Sequence, residues 1–551
     1  MFTGFRFSDL AWRSVLQSAA VVALLCGLAG MVRGQDAADQ FKADLDELKS
    51  RFSPQSAEPP VITDASLQPA VHENSTLDEQ GVRRIVRETL DDPQLIKKIR
   101  GSAYAGYNPQ GGPDQKRDGF FIRNEDDTWN LHIHNRLQMR YAFDHFSDQS
   151  TRNGKPSSDR AEDRSDFHIA REYLTFNGNA WSKDLYYQVT LQAFTADNER
   201  VTLRYDWVDY NILHNLGWAD DESPLRDALY LRGGLWKSRF GREFPASDGQ
   251  LQLVDRALAT QAFRADRVRG IDFHGSCLWC EEDRNPDDGK IRGPGRIAYA
   301  AELVDGIFSA GQAFGLDNST TDGIRQVDNN PAVILRLQYD IWRGWYTYQL
   351  ADGKEAKAND FRVDEHNDLA SHEEPALQIG AAYLFQRDDF DAQPAANPLQ
   401  GRFFGGKDIS RLAADVAYKY RGLSLTGEYF YEELSARDSQ FNQILPADQQ
   451  DSQNSQGFYL RGGYFVVPRR LELAARVSGL FTDDLANGTS VPDAWEYTAG
   501  LGWYPTGHHY LKFQLDGSVV RHSPLSAEKS EFVSGTHEQD FIVRAQVQLE
   551  F

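Results

Sequence analysis

The chain lacks the features of a helical membrane protein and of the common enzyme classes. Beyond its first 34 residues, the 551-residue sequence has no apolar run long enough for a spanning helix, and its mean hydropathy is -0.57. It has only three cysteines, which suits a chain outside the reducing cytosol. A P-loop, a dinucleotide fingerprint and a nucleophile motif are all missing, which argues against an enzyme. We expect no cofactor, no metal site and no nucleic-acid partner.

The end of the chain shows the clearest pattern that is present. Residues 541–551, FIVRAQVQLEF, alternate apolar and mostly polar side chains without a break. A period of two predicts a β-strand with one apolar face and one wet face. A strand that ends on an aromatic residue, here Phe551, resembles the closing strand and assembly signal of bacterial outer-membrane barrels, so the barrel assembly machinery is an expected partner.

Similar segments recur from residue 119 onward. In residues 128–143, Trp129 and Tyr141 share one face and lie twelve residues apart. At ~3.3 Å per residue they span about 40 Å of strand, or about 30 Å along the membrane normal at a tilt of ~40°. The sequence therefore predicts an all-β fold: an antiparallel transmembrane β-barrel over residues 119–551, in contact with outer-membrane lipid.

The strand number is less certain than the fold. We count about seventeen segments, whereas a barrel with both termini in the periplasm needs an even number. Short turns alternate with longer outer connections toward the C-terminus, and the short turns lie at 420–422, 467–470 and 505–508. This alternation is interrupted between Ala351 and Ser410, where we expect a strand to have been miscounted. Sixteen and eighteen strands both remain open on this count.

Two segments precede the predicted barrel. Residues 1–34 carry Arg6 and Arg13 before a short apolar run, which predicts a secretory signal peptide. Residues 35–118 form a predicted periplasmic segment with two short apolar stripes at helical spacing, within 41–52 and 85–99. Two helices that zip in an oligomer and a disordered linker both fit this composition.

Residues 229–275 resemble the phosphate-selective porin O/P family. Gly234, Lys237, Glu243, Arg256, Arg267 and Gly270 stand where that family carries its Gly-x-x-Lys, Glu and Arg-x-x-Gly elements, although Ala257 replaces a common Ser. Residues 415–433 give a further match. The resemblance implies sixteen strands, a homotrimer, and a third outer loop that folds inward and guides anions such as phosphate.

The basic residues that the resemblance places at this constriction are Lys237, Arg239, Arg242, Arg256, Arg264, Arg267 and Arg269. In one interpretation these arginines bind anions, because a guanidinium group matches the geometry of phosphate or carboxylate oxygens. In the other, which has equal weight, they pair with neighbouring acidic residues on a solvated loop. By strand parity, basic residues also face the lumen at Arg136, Arg140, Arg204, Arg232, Arg336, Arg461, Arg476, Lys512 and Arg544. A similar number of acidic positions, including Asp206, opposes them, so the wall does not decide selectivity.

Two smaller clusters were considered as sites. His132 and His134 project from one side of a strand without a third metal ligand. Cys277 and Cys280 form a Cys-Leu-Trp-Cys sequence, for which we predict a local disulfide. The predicted function is a passive outer-membrane porin for small hydrophilic solutes; the alternatives are a structural tether of the envelope and an outer-membrane enzyme.

Overall fold

A computed structural model of the chain describes residues 104–108, 119–146, 151–152, 155–156, 163–193, 201–286, 289, 293–305, 331–349, 355–361, 366–388, 407–436, 452–482, 493–521 and 539–551. The predicted signal peptide and both apolar stripes at residues 41–52 and 85–99 lie outside the described residues. Among the described helices, none is both long and apolar enough to cross a membrane.

Most of the described residues are in β-strands. In chain order the strands are β1 (Tyr104–Asn108), β2 (Gly119–Arg123), β3 (Asn130–Phe146), β4 (Thr151–Arg152), β5 (Lys155–Pro156), β6 (Arg164–Ala180), β7 (Ser182–Gln192), β8 (Thr202–Asn211), β9 (Tyr230–Lys237), β10 (Arg267–Cys277), β11 (Ile297–Val304), β12 (Ala332–Trp342), β13 (Tyr346–Gln349), β14 (Glu355–Ala358), β15 (Ala376–Asp388), β16 (Lys407–Tyr420), β17 (Leu423–Ala436), β18 (Ser452–Val467), β19 (Leu471–Thr482), β20 (Ala494–Trp503), β21 (Leu511–Arg521) and β22 (Gln539–Glu550). Two short α-helices also lie among the described residues, α1 (Ile212–Asn215) and α2 (Leu258–Phe263).

Sixteen of these strands close into one antiparallel barrel. Each pairs with the next barrel strand in the chain, from β3 to β22, and β22 then pairs with β3 from Glu550 opposite Arg136 to Asp540 opposite Phe146. The predicted all-β barrel is confirmed, with sixteen strands and not eighteen. The pairs β4–β5 and β13–β14 form separate two-stranded sheets, and β14 lies within the region where the alternation of short and long connections is interrupted.

Side chains alternate between a polar interior and an apolar exterior. On β16, Leu412 and Val416 are exposed, whereas Arg411, Asp415 and Lys419 are buried inside the barrel. Unsatisfied backbone groups cannot face lipid, so a closed sheet with an apolar outer band is a stable way for strands to span a membrane. The chain is an outer-membrane barrel, as predicted.

The two rims of the barrel differ in their connections. We call the rim where β3 begins and β22 ends the terminal rim. Turns of one to three residues join strands there at Trp181, at 421–422 and at 468–470. Three long links also lie at this rim, at 212–229, 278–296 and 343–375. The first of these contains α1, and the last folds into the lumen.

Candidate functional site

The connection between β9 and β10, residues 238–266, enters the lumen and is called here the inward loop. It starts from one wall and reaches strands about half a turn around the barrel. Five of its backbone N–H groups donate to wall carboxylates, among them Arg242 to Glu428 at 2.6 Å, Val254 to Asp516 at 2.9 Å and Leu258 to Glu496 at 2.7 Å. Because a buried amide without a partner is costly, these carboxylates fix the path of the loop.

Apolar packing holds the same loop against the far wall. The ring of Phe263, at the end of α2, stacks on the ring of Phe430 with their centroids 5.3 Å apart. Ala259 and Phe263 are fully buried, and both lie beside Gly457 of β18. The loop is therefore a packed part of the interior, which agrees with the inward fold that the family resemblance implied.

Six of the seven basic residues predicted at the constriction lie inside the barrel, and each has an acidic partner. Lys237 and Arg256 bind Asp248, with Lys237 Nζ 3.0 Å from the carboxylate. Arg239 lies 3.0 Å from Asp272, and Arg242 lies 2.7 Å from Asp415. Asp266 is shared by Arg264, at 3.6 Å, and Arg267, at 3.1 Å. Pairing with neighbouring acids thus accounts for much of the charge of this loop.

These ion pairs keep the loop carboxylates ionised. Burial alone would raise the pKa of Asp248, but Arg256, Lys237 and Arg171 hold that pKa well below its usual value. Burial alone would also raise the pKa of Asp266, but Arg264 and Arg267 lower that pKa to about 2. The carboxylates therefore neutralise the loop arginines at neutral pH.

The seventh basic residue, Arg269, is placed elsewhere. It is exposed on β10 and shares a strand face with Ile271 and Phe273, which are both exposed. Asp272, on the opposite face of the same stretch, binds Arg239 inside the barrel, so the face of Arg269 points outward; Lys237 and Arg267 at the strand ends depart from this alternation. The structure therefore does not bring Arg269 into the lumen.

All nine basic residues predicted by parity to face the lumen do so. Their partners inside the barrel are Glu550 for Arg136, Asp255 for Arg140, the Tyr173 ring for Arg204, Asp209 for Arg232, Asp415 for Arg336, Glu243 for Arg461, Glu496 for Arg476, the Gly249 and Leu251 carbonyls for Lys512, and Asp516 for Arg544. Most of the wall charge is therefore also balanced locally.

Parity fails for the acidic residue Asp206. The pairing of β7 with β8 skips one residue at Arg204, because Thr190 pairs with Tyr205 and Leu191 with Leu203. This bulge reverses the alternation, so Asp206 is exposed on the outer face. The same bulge turns Asp209 inward, where it is buried.

The link between β12 and β15, of which residues 343–349, 355–361 and 366–375 are described, is called here the inward link. These residues enter the lumen from the terminal rim. Asn367 Nδ2 donates to Glu472 at 3.1 Å, and Asp368 accepts from the Gly422 N–H at 2.7 Å. Lys419 Nζ donates to the Phe361 carbonyl at 2.9 Å. These contacts fasten the inward link to the inner wall of β16 to β19.

Among the described residues, two cavities lie between the inward segments and the wall. The first, the rim cavity, has a volume of 760 Å³ and extends toward the terminal rim. Its charged lining is Arg226, Arg232, Arg239, Arg242, Arg336 and Lys357 against Asp209, Asp227, Asp283 and Asp360. The second, the side cavity, has a volume of 380 Å³ and is lined by Arg136, Arg232, Lys237 and Arg239 against Asp248 and Glu550. Basic side chains outnumber acidic ones in both.

Arg232 and Arg239 line both cavities and so lie at their junction. Arg232 Nη2 is 2.7 Å from Asp209, and its guanidinium carbon is 4.0 Å from the centre of the Trp207 ring. Arg239 is about a third exposed, which leaves part of its guanidinium open to a solute. The Asp209 carboxylate at one edge of the Arg232 guanidinium and the Trp207 ring on one of its faces hold Arg232 in one orientation.

A third group of arginines surrounds one carboxylate of the inward loop. Asp255 lies 3.0 Å from Arg140, 3.1 Å from Arg171 and 2.9 Å from Arg544. Arg171 was not predicted, because β6 was not among the segments identified by alternation; its pairing with β3 skips Ala170. Asp209, Asp272, His274 and the inward link were also missed. The alternation of Asp272 and His274 with the apolar Ile271 and Phe273 was an available signal for those two residues.

The histidine and cysteine pairs do not form the sites considered for them. The His132 and His134 rings lie parallel, 6.3 Å apart, and within the described ranges no cluster of His, Cys, Asp or Glu is arranged to hold a metal ion. Cys277 and Cys280 carry free thiols, so the structure does not form the predicted disulfide. The Cys280 side chain instead accepts from the backbone at the start of the short helical turn 281–283.

Comparison with known families agrees with the resemblance. Residues 358–551 match the family model described as "Phosphate-selective porin O and P". That stretch contains β15 to β22, and it extends the resemblance noted at residues 415–433. No curated protein matches the chain in sequence.

Solved structures of outer-membrane proteins share the barrel at low identity. The chain is similar to an anion-selective porin from Comamonas acidovorans (10% identity, TM-score 0.45, 76% of this chain and 99% of that chain). It is also similar to the outer membrane channel DcaP of Acinetobacter baumannii (11%, 0.41, 76% and 97%) and to OmpT, an outer membrane protein of Vibrio cholerae (8%, 0.40, 76% and 97%).

Proposed function

We propose that the chain is a passive outer-membrane porin that favours small anions over cations. The observation that carries this proposal is the basic excess of both cavities, which share Arg232 and Arg239 at their junction. Charge in a narrow channel with low-dielectric walls raises the local concentration of counter-ions. A small anion would meet these guanidinium groups as it passes the inward loop.

The same geometry limits the strength of the preference. Arg232 and Arg239 are each paired with a carboxylate, Asp209 and Asp272, so an anion competes with an internal partner. A charge-assisted hydrogen bond contributes ~1.5 to 3 kcal/mol, and an already paired guanidinium offers only its remaining donors. We therefore propose a graded preference for small anions, phosphate among them, and not exclusion of all other solutes.

The test is the reversal potential of the purified full chain in planar bilayers under a potassium chloride gradient. Wild type should show anion preference, and Arg239→Gln and Arg232→Gln should each shift the reversal potential toward cation passage. Arg269→Gln is the matched control, because this arginine is exposed outside the lumen. A wild-type channel that prefers cations, or an equal shift in the control, would reject the proposal.

Oligomeric state forms a second part of the proposal. The family resemblance implies a homotrimer, and the apolar outer band offers surface for contact between barrels. Cross-linking of the protein in outer-membrane vesicles should give a ladder that ends at the trimer. A ladder that ends at the monomer would remove the trimer from the proposal without changing the pore.

A further inference from the structure

We propose that the rim cavity is a binding site for small organic anions that carry a flat aromatic ring, such as an aromatic carboxylate. This inference rests on the proposed function and adds the chemical class of a favoured solute. It follows from two surfaces that line one cavity of 760 Å³, a basic one on the wall and inward loop and an aromatic one on the inward link. That volume is within the usual range for small-molecule sites.

The aromatic surface comes from Trp345 and Tyr348 of the inward link, which both line the cavity and are partly exposed. Their backbone is held in place by neighbours. Tyr346 between them is buried, with its ring 5.1 Å from the His372 ring and 6.2 Å from the Tyr348 ring. The Trp345 carbonyl accepts from the Glu373 N–H at 2.7 Å. An aromatic side chain on a fixed backbone can bind a ring with little loss of conformational freedom.

The basic surface is formed by three arginines at the deeper end of the cavity. Arg242 and Arg336 both bind the carboxylate of Asp415, at 2.7 Å and 2.5 Å, and Glu428 accepts from the Arg242 backbone N–H at 2.6 Å. Arg239 presents its partly exposed guanidinium to the same space. A carboxylate of the solute would accept hydrogen bonds from the guanidinium groups that line the cavity.

The acids of the cavity are bound by the protein itself. Asp209 pairs with Arg232 at 2.7 Å, Asp283 pairs with Arg296 at 2.9 Å, and Asp227 accepts from the Tyr230 hydroxyl at 2.5 Å. Arg232 and Arg296 offset the negative charge of Asp209 and Asp283, which would otherwise attract a cation. A cationic or zwitterionic ring compound is therefore a poorer match than an anionic one.

The experiment measures block of chloride current through the full-length protein by acetate, cyclohexanecarboxylate and benzoate, each added to the bilayer chamber as its sodium salt. All three carry one carboxylate, and the last two have rings of similar size, of which only benzoate is flat and aromatic. An aromatic pair adds ~0.5 to 1.5 kcal/mol beyond area burial, which is about a two- to ten-fold lower blocking concentration for benzoate than for cyclohexanecarboxylate. Equal block by the two ring acids overturns the inference, and this comparison needs no variant.

A double variant locates the effect. Trp345→Leu with Tyr348→Leu should abolish the difference between benzoate and cyclohexanecarboxylate. In the control, Tyr339→Leu with Trp342→Leu removes two aromatic residues that are exposed outside β12, and the difference should persist. If the channel with Trp345→Leu and Tyr348→Leu is still blocked at a lower concentration of benzoate than of cyclohexanecarboxylate, the rim cavity is not the binding site. If the wild type prefers chloride to potassium but shows no benzoate preference, the inference fails alone; if it prefers potassium, the proposed function fails.

Discussion

The guanidinium carbon of Arg242 lies 5.7 Å from the centre of the Phe361 ring, so the inward loop and the inward link meet inside the lumen. Their meeting point is also tied to the wall. Glu472 accepts from Gln252 of the inward loop and, at 3.1 Å, from Asn367 of the inward link. One wall carboxylate thus holds both segments, which couples the position of one constriction to that of the other.

Phe361 is the first place to test this coupling. The residue is fully buried and packs with Ala376 and Ala417. Removing a buried Phe side chain costs about 3 to 5 kcal/mol, because the cavity left behind is only partly filled. Phe361→Ala should therefore lower the temperature at which the barrel unfolds in heat-modifiable gel migration, and Phe361→Leu should lower it less. An unchanged transition in the alanine variant would show that the inward link is not part of the stable interior.

A second prediction concerns two neighbouring glycines of β9. Gly234 has φ of +130°, and a Cβ there would lie 2.1 Å from the Asp206 carbonyl oxygen, whereas a Cβ on Gly233 would meet nothing within 4 Å. Gly234→Ala should impair pairing with β8 and reduce the folded fraction, as judged by heat-modifiable migration. Gly233→Ala is the matched control and should fold normally. Equal folding of both variants would contradict the steric argument.

Strand period predicted the barrel because a two-residue repeat survives wherever one face meets lipid and the other meets water. It was least informative at bulges. The segments singled out by alternation did not include β6, where the pairing with β3 skips Ala170, and Asp206 was assigned to the wrong face after the bulge at Arg204. A bulge inserts one residue and reverses every later side chain of the strand, which a single sequence does not reveal.

The site was predicted as a set of basic residues but not as a geometry. The charge of the inward loop was visible in the sequence, whereas the neutralisation of Arg242 by Asp415 depends on a strand 173 residues away in the chain. The interrupted alternation of connections after Ala351 marks the region of the inward link, but its lumen anchors are single side chains such as Asn367, which no local pattern identifies. Contacts between residues more than a hundred positions apart are set by barrel closure, which local patterns do not encode.

The pH dependence of the pore is the third prediction. The folded pKa of Asp266 is lowered to about 2 from an ordinary value of 3.8, so its ion pairs stabilise the loop fully above pH 3.8 and are lost as pH falls toward 2. Burial, with Arg461 and Arg256 nearby, lowers the pKa of His366 well below 6.5, so this ring stays neutral near neutrality. The Asp266 ion pairs should therefore contribute no change in conductance or ion preference from pH 8 to 5 and should produce a change below about pH 4, which Asp266→Asn should remove. A change below about pH 4 that persists in Asp266→Asn would count against this assignment.

The last prediction addresses the carboxylate that Arg140, Arg171 and Arg544 surround. Asp255→Asn removes one negative charge from the midst of three guanidinium groups and leaves an amide of nearly the same shape. Donors that now bind Asp255 become available to a passing anion, and one charge-assisted contact is worth at least the ~1.4 kcal/mol that corresponds to a tenfold change in affinity. Phosphate should therefore block chloride current at about tenfold lower concentration than in the wild type.

Asp206→Asn is the control for this prediction, because it removes the same charge from the outer face and should leave phosphate block unchanged. Heat-modifiable migration checks that both variants are folded, since the lost ion pairs could also loosen the inward loop. A folded Asp255→Asn channel with unchanged phosphate block would mean that the three arginines lie off the path of the ion. Weaker block would mean that Asp255 positions these arginines for the anion instead of competing with it.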